Sequence, residues 1–354
     1  MAIDKRVDWY KPLPSPRELR QEIVWWDEIS GDIEVRRTEV ANIIHWRDQT
    51  LLTVVWPCSL HDVDEALEYA EWLKKIKFDF PNLKIVMRAY FEKPRTTIWW
   101  KGLINDPNLD WTFDVEMWLR KARRLLLDIN RLDIATATEL LDPLVSQYIA
   151  DLISWSAIWA RTTQSPTHRE MASGLSMPVW FKNWTDWSPQ IAIDALKSSQ
   201  SQHSFLWINE DWMASIVDTR WNPDWHIILR WWDWMTNYSP EQIAEITRKL
   251  EEAWVNPNLM VDFSHANSHK NHEEQIFVAR SVAKQIAEWN TRIMWVMIES
   301  NLEGWNQPFT PGKTIREDLK RGVSITDKCV WLEQTQEILW LLDHAVWKRK
   351  ERSN

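Results

Sequence analysis

The sequence is poor in glycine. It contains 6 glycines among 354 residues, whereas the average share of about 7% would give about 25 in a chain of this length. A dinucleotide-binding loop needs several closely spaced glycines, because glycine adopts left-handed backbone and lets the backbone approach a phosphate closely. The scarcity of glycine therefore argues against such a loop. The segment after the first predicted strand, residues 56–62, reads WPCSLHD and has no glycine.

Three further absences narrow the class of protein. Cys58 and Cys329 are the only cysteines, which excludes a disulfide framework and fits a reducing compartment. No apolar run reaches the roughly 18 residues of a membrane span, and residues 1–23 lack the apolar core of a signal peptide. We therefore expect a cytoplasmic protein with no membrane partner. The formal net charge of -9 argues against a nucleic-acid partner bound through bulk positive charge.

Tryptophan is as abundant as glycine is scarce. The chain has 29 tryptophans, and the two residue types together make up about a tenth of it, a share that would suit the glycine content of a loop-rich α/β enzyme. We interpret many of the tryptophans as occupying glycine positions. A Trp-rich, sugar-binding module is the alternative, but the tryptophans stand at turn-like places and not on one repeated face.

After residue 46, short apolar runs alternate with helical patterns. The runs, apolar on both faces as buried parallel strands are, are residues 51–56, 83–90, 134–140, 157–162, 177–183, 226–230, 259–265 and 293–300. The pattern predicts a (β/α)8 TIM barrel over residues 47–354, preceded by an N-terminal extension, residues 1–46, and interrupted by a β-hairpin at residues 205–218. A doubly wound open sheet is the alternative, and the missing Gly-rich loop disfavours it.

The carboxyl ends of the predicted strands, where barrel enzymes have their active sites, carry charged or metal-binding side chains. In chain order these are Cys58, Arg88, Glu139, Arg161, Lys182, Arg230, His265 and Glu299, with Asp327 after the last strand. Any one of them could be a salt bridge at the barrel rim. A complete set at every strand end predicts an active site.

The set divides into two chemistries. One sulfur, one nitrogen and two carboxylates come from Cys58, His265, Glu299 and Asp327, a mixed donor set that suits one divalent ion of Mn, Fe, Co or Zn. The cations are Arg88, Arg161, Lys182 and Arg230, together with Lys93 and Arg95 of the run KPRTT at residues 93–97. They could bind two phosphates and a carboxylate. A metal beside them implies an anionic substrate with a carbonyl group to polarise.

Seven segments carry a resemblance to a known family. They are WPCSLHD at 56–62, MRAYFEKPRTT at 87–97, WKGLINDP at 100–107, ARTT at 160–163, THREMASGLS at 167–176, VDFSH at 261–265 and SITD at 324–327. From about residue 15 to the C-terminus the chain resembles class I 3-deoxy-D-arabino-heptulosonate-7-phosphate (DAHP) synthases of the type inhibited by a single aromatic amino acid. The resemblance implies condensation of phosphoenolpyruvate with D-erythrose 4-phosphate and water to give DAHP and phosphate, the first step of the shikimate pathway.

The resemblance also implies residue roles. Cys58, His265, Glu299 and Asp327 match the metal ligands of the family. Arg88, Arg161, Lys182 and Arg230 match phosphoenolpyruvate-binding positions, Lys93 contacts both substrates, and Arg95 and Thr96 match contacts to erythrose 4-phosphate. Glu139 matches an acidic residue beside the phosphoenolpyruvate site. Lys93 and Glu139 are our candidates for the general acid and the water-activating base.

Regulation and assembly follow from the same resemblance. In the family, the N-terminal extension builds the oligomer, a homodimer or a homotetramer here, and helps to form a pocket for Phe or Tyr. Gln147, Ser176 and Phe205 match positions near that pocket. Trp207 stands where Phe-sensitive members have Ser and Tyr-sensitive members have Gly, which points to Tyr as the effector if glycine is the parent residue.

The sequence departs from the family pattern at glycines. Tryptophan stands at twelve such positions, residues 56, 99, 159, 180, 184, 187, 221, 225, 231, 232, 295 and 331. Overpacking costs about 1–3 kcal/mol per site and a wrong-sign φ about 1–2 kcal/mol, against a total stability of about 5–15 kcal/mol. We therefore expect a variant that is poorly folded or inactive, and a non-catalytic barrel scaffold is the alternative function. A third possibility, a barrel synthase with an arabinose phosphate acceptor, is disfavoured by the run KPRTT.

Overall fold

The computed structural model describes residues 6–23, 29–58, 60–92, 102–103, 106–110, 112–158, 162–182, 190–229, 236–288, 290–310 and 312–353. The strands are β1 (Leu51–Trp56), β2 (Leu83–Arg88), β3 (Ala135–Glu139), β4 (Trp155–Ile158), β5 (Val179–Lys182), β6 (Ser204–Ile208), β7 (Ala214–Asp218), β8 (Trp225–Leu229), β9 (Leu259–Asp262) and β10 (Ile293–Glu299). The helices are α1 (Pro16–Glu22), α2 (Ser30–Ile44), α3 (Val63–Ile76), α4 (Val115–Arg131), α5 (Ser146–Ile149), α6 (Pro166–Gly174), α7 (Gln190–Ser199), α8 (Pro240–Glu252), α9 (Gln275–Glu288) and α10 (Leu332–Ser353).

Eight parallel strands close into a barrel in the order β1-β10-β9-β8-β5-β4-β3-β2. Their side chains are buried on both faces, as in β1 and β10, where every residue is buried. Inward residues meet in the barrel interior, while outward residues pack against the helices. The predicted (β/α)8 barrel is confirmed.

The inserted hairpin is confirmed as well. Strands β6 and β7 pair antiparallel outside the barrel, with Phe205 opposite Val217. The fourth barrel strand differs from the predicted run at 157–162, because it begins at Trp155, which pairs with Ala137 of β3. The prediction placed this strand too late in the chain, because the apolar pattern of the sequence continues past Ile158, where β4 ends.

Local signals set several helix ends. The hydroxyl of Ser239 accepts a hydrogen bond from the backbone N–H of Gln242, whose side chain accepts one from the N–H of Ser239, so α8 begins with the expected capping box. The Asp62 carboxylate accepts from the backbone of Asp64 and Glu65 at the start of α3. In the part of the chain described above, no helix combines the length and apolar character needed to cross a membrane.

Helix α2 closes the amino end of the barrel. Its Val40, Ile43 and Ile44 join the cluster of inward strand side chains. The carbonyl of Ile44 accepts hydrogen bonds from Asn256 and Asn258, just before β9. With this end filled, the carboxyl end of the barrel is left for chemistry.

Several tryptophans have backbone angles that favour glycine. Trp46, Trp212, Trp254 and Trp305 have φ of 58°, 60°, 60° and 77°, and Trp221 has 156°. For a residue with a Cβ atom, left-handed backbone costs about 1–2 kcal/mol. Of these five tryptophans, Trp221 is among the positions identified from the family pattern. That tryptophan occupies glycine positions stays a prediction.

Trp254 shows why the backbone is left-handed at such a position. It follows α8 directly after the capping residue Ala253, and its N–H donates to the carbonyl of Glu251. The next N–H, of Val255, reaches back to the carbonyl of Leu250. This is the Schellman ending, whose left-handed position is usually glycine.

Trp254→Gly is expected to stabilise the protein by about 1 kcal/mol. The indole is 94% exposed, so its removal sacrifices little packing and the gain reports the backbone alone. The measurement is the melting temperature. Trp254→Ala is the control: it also removes the indole but keeps the Cβ atom, so equal gains in both variants would contradict the backbone argument.

Candidate metal and substrate site

Three potential metal donors converge at the carboxyl ends of β1 and β10. Trp56 and Glu299 are register partners at the ends of these strands, which brings Cys58, two residues later, next to Glu299. The Cys58 sulfur lies 3.2 Å from Glu299 Oε1 and 3.1 Å from Asp327 Oδ2. The donor atoms of all three residues lie within 4.8 Å of one another, a spacing that one ion can bridge.

His265 approaches this cluster from β9. Its Nε2 atom lies 3.4 Å from Glu299 Oε1, but His265 is not one of the three residues whose donors all lie within 4.8 Å. Its Nδ1 atom lies 3.0 Å from Asp262 Oδ2 and 2.7 Å from the hydroxyl of Ser264. In the tautomer whose Nδ1 proton is donated to Asp262, the nearer of the two carboxylates, the Nε2 lone pair is left for a metal.

Two buried side chains that sequence reasoning missed hold the donors in place. Asp262 Oδ1 also accepts from the N–H and hydroxyl of Ser264, so the carboxylate is fixed at both oxygens. The Gln275 amide donates to the carbonyl of Glu299 and accepts from its N–H. Asp262 lies inside the segment VDFSH and could have been identified there, whereas Gln275 gives no signal in the sequence.

A cavity opens beside the cluster. Among its lining residues are His265, Glu299 and Asp327, and two lysines that were not predicted, Lys270 and Lys328. The Lys328 ammonium lies 3.9 Å from the centre of the Trp305 ring. The two lysines add positive charge to a pocket whose potential metal donors are carboxylates and a thiol.

Arg88, at the end of β2, is buried in an aromatic sandwich. Its guanidinium carbon lies 3.1 Å from the centre of the Trp56 ring and 3.4 Å from that of Tyr90, and the two rings are within 17° of parallel. Its Nη1 atom lies 3.5 Å from the Met297 sulfur, and Nε has no hydrogen-bond partner among the described residues. A guanidinium held in this way is not directed at a carboxylate or a phosphate.

The other predicted substrate residues are only partly covered. Glu139 is buried at the end of β3, and Lys182 ends β5, although its side chain lies outside the described part. Lys93, Arg95, Thr96, Arg161 and Arg230 lie outside the described residues.

The residues predicted for the effector pocket lie on three elements. Phe205 and Trp207 are neighbours on β6, with ring centroids 5.7 Å apart. Gln147 lies in α5, and its carbonyl accepts a hydrogen bond from Arg20. Ser176 is exposed in the segment before β5. That the four form one pocket stays a prediction.

Comparison with known proteins decides the family. The model of the DAHP synthetase I family matches residues 31–340. The chain belongs to this family. It is 46% identical over 328 residues to the Tyr-sensitive phospho-2-dehydro-3-deoxyheptonate aldolase of Escherichia coli (strain K12), covering 92% of this chain and 91% of that protein. It is 45% identical over 335 residues to the Trp-sensitive aldolase of Enterobacter agglomerans, covering 94% and 95%.

A solved structure agrees. The phospho-2-dehydro-3-deoxyheptonate aldolase from Francisella tularensis SCHU S4 superposes with a TM-score of 0.93 at 42% identity, covering 97% of this chain and 99% of that one. The resemblance to DAHP synthases is therefore confirmed for the family and the fold.

Proposed function

We propose that this chain is a DAHP synthase, which condenses phosphoenolpyruvate with D-erythrose 4-phosphate and water to give DAHP and phosphate. The observation that carries the proposal is the convergence of Cys58, Glu299 and Asp327 at the carboxyl end of the barrel. In a member of the DAHP synthetase I family, this is where a metal-assisted condensation would occur.

We assign Cys58, His265, Glu299 and Asp327 as ligands of one divalent ion. Their sulfur, nitrogen and carboxylate donors suit Mn, Fe, Co or Zn. When bound, the ion would polarise the aldehyde carbonyl of erythrose 4-phosphate. The protonated Nδ1 atom of His265, held by Asp262, keeps its other ring nitrogen available for the ion.

The proposed substrate contacts come mainly from the cationic residues at the ends of the strands. The phosphoenolpyruvate site consists of Arg88, Arg161, Lys182 and Arg230, with Lys93 shared between the substrates and Arg95 and Thr96 at erythrose 4-phosphate. Carbon C3 of phosphoenolpyruvate attacks the aldehyde, water adds at C2, and phosphate leaves. Glu139 would activate the water and Lys93 would protonate the aldehyde oxygen, as the candidate base and acid.

Feedback control and assembly are part of the proposal. The relative from Escherichia coli is named Tyr-sensitive, and we propose Tyr as the effector, in a pocket formed by Gln147, Ser176, Phe205 and Trp207. The indole of Trp207 would fill part of that pocket, so inhibition by Tyr is expected to be weak. We also propose that residues 1–46 form an extension that joins two or four barrels of residues 47–354.

A barrel scaffold without turnover is the second candidate. It is supported by crowding inside the barrel, where the rings of Trp155 and Trp180 have centroids 3.2 Å apart, and by the left-handed φ of five tryptophans. We propose that tryptophan has replaced glycine at these turns and at positions such as Trp180, and that the replacements lower activity.

The test is turnover by the purified chain with Mn²⁺, phosphoenolpyruvate and erythrose 4-phosphate, followed through phosphate release and DAHP formation. Cys58→Ser should lower the rate about 100-fold or more, since one metal ligand is weakened. Cys329→Ala is the control, because it removes the other buried thiol and leaves all four proposed ligands unchanged. No product under any metal would favour the scaffold, and product formed only with an arabinose phosphate would favour the related synthase.

Asp262→Asn is expected to weaken Mn²⁺ binding about 10- to 100-fold. In one orientation the NH2 group of the new amide faces the N–H of Ser264, which is also a donor. In the other it faces Nδ1 of His265, which must then accept, so the ring proton moves to Nε2. Calorimetric titration with Mn²⁺ measures the effect. Asp79→Asn removes an exposed carboxylate before β2 and should leave the affinity unchanged. Equal affinities for both variants would contradict the role of Asp262.

A further inference from the structure

Leu141, two residues beyond Glu139, is held at both its backbone polar groups by side chains from other loops. Its N–H donates to Glu92 Oε2 over 3.2 Å, and the next N–H, of Asp142, donates to both oxygens of Glu92 over 3.2 and 3.3 Å. Its carbonyl lies 2.8 Å from His168 Nε2. Because a carbonyl only accepts, this imidazole nitrogen carries the proton.

Glu92 and His168 are themselves fixed. Both side chains are buried. The other ring nitrogen of His168 lies 2.9 Å from the hydroxyl of Ser165, the residue before α6. Burial raises the pKa of Glu92 to about 8, against the lowering effect of the N–H groups of Leu141 and Asp142. In either protonation state, the carboxyl group keeps an oxygen that can accept from the loop.

The contacts join three consecutive strand ends. Glu92 follows β2 and directly precedes Lys93. Leu141 follows β3, whose last residue is Glu139. His168 lies in the first turn of α6, after the segment that follows β4 and contains Arg161. Each segment therefore carries a proposed substrate residue, and Leu141 is the common point at which the three are tied.

We infer that Glu92 and His168 are positioning residues, which fix the backbone at Leu141 and Asp142 and so hold Glu139, two residues before Leu141, at the phosphoenolpyruvate site. This inference rests on the proposed function. Neither residue needs to touch a substrate, because each acts through the backbone at Leu141 and Asp142. A displacement of about 1 Å in such groups can cost about 100-fold in rate.

The experiment compares Glu92→Ala, Glu92→Gln, His168→Ala and the double variant Glu92→Ala/His168→Ala. Three quantities are measured: kcat/KM for phosphoenolpyruvate, melting temperature, and hydrogen exchange of the Leu141 amide. Asn222→Ala is the matched control. The side-chain amide of this buried residue donates hydrogen bonds to the carbonyls of Ala172, Leu175 and Met177. Asn222 therefore also fixes loop backbone, but at the amino end of the barrel.

The inference predicts that both single alanine variants lower kcat/KM about 10- to 100-fold, and that the double variant loses less than the product of the two. Glu92→Gln, which keeps an acceptor oxygen, should retain most of the activity. Asn222→Ala should lose stability without a matching loss in kcat/KM. The inference is overturned if the losses follow the melting temperature across all variants, or if Gln and Ala at residue 92 behave alike.

The two proposals fail in different ways. If the parent chain neither turns over nor binds phosphoenolpyruvate by calorimetry, the proposed function and this inference both fall, even with faster exchange at Leu141. If the parent is active and exchange at Leu141 accelerates in Glu92→Ala while kcat/KM is unchanged, the positioning role alone is overturned.

Discussion

We expect Trp180→Ala to cost this chain little or no stability, although it removes a fully buried side chain. The Trp155 and Trp180 rings lie with centroids 3.2 Å apart, closer than the roughly 4.5–7 Å of favourable aromatic pairs. Neither indole N–H has a hydrogen-bond partner among the described residues. Relief of overpacking, about 1–3 kcal/mol, and of an unpaired buried donor, about 1–3 kcal/mol, together offset the roughly 3–5 kcal/mol usual for a large side chain lost from a core.

The net change in stability, measured through the melting temperature, should therefore be close to zero. The control is Trp118→Ala in α4. Trp118 is also fully buried, and its indole N–H likewise has no hydrogen-bond partner among the described residues, but it meets Phe91 edge to face with centroids 5.5 Å apart, a favourable geometry. Trp118→Ala relieves no overpacking, so it should cost about 2 kcal/mol more than Trp180→Ala. A comparable loss from Trp180→Ala would contradict the overpacking account.

We expect Trp56→Gly to tighten binding of phosphoenolpyruvate about 30-fold. The guanidinium of Arg88 is stacked between Trp56 and Tyr90, and a desolvated cation–π contact contributes about 2 kcal/mol. A phosphate or carboxylate must draw the guanidinium out of this sandwich before it can bind. Without the indole that cost falls, and 2 kcal/mol corresponds to about 30-fold in the dissociation constant.

Calorimetric titration with phosphoenolpyruvate tests this prediction without requiring turnover. Trp56→Phe is the control, since it keeps an aromatic face for Arg88 and should bind as the parent does. If Trp56→Gly binds phosphoenolpyruvate no more tightly than Trp56→Phe, the indole does not compete for Arg88.

The barrel was predictable because its information is local. Buried parallel strands give continuous apolar runs, and some of the helices between them begin at a recognisable cap, as at Asp62 and Ser239. The one displaced strand, β4, failed because residues on both sides of it are also apolar. Trp46 and Trp254 each have left-handed φ just after a helix, where glycine is usual. A tryptophan at such a position gives no signal that the helix ends there.

The cluster of potential metal donors was predictable in three of its members, whereas the substrate residues stay a prediction. The ends of the predicted strands pointed to Cys58, Glu299 and Asp327, and the structure brings these three together. The sandwich around Arg88 depends on which side chains of neighbouring strands face the interior, which the sequence does not encode locally. The backbone N–H and carbonyl of Leu141 bond to the side chains of Glu92 and His168 from other loops. The identity of these residues in the sequence does not reveal such contacts.

Titration with Co²⁺, followed by the absorption band of a thiolate bound to the metal, tests the central claim most directly. The account predicts a band that saturates at one ion per chain, disappears in Cys58→Ser and persists in Cys329→Ala. Absence of the band, or a band that survives in Cys58→Ser, would contradict a metal centre built on Cys58, Glu299 and Asp327.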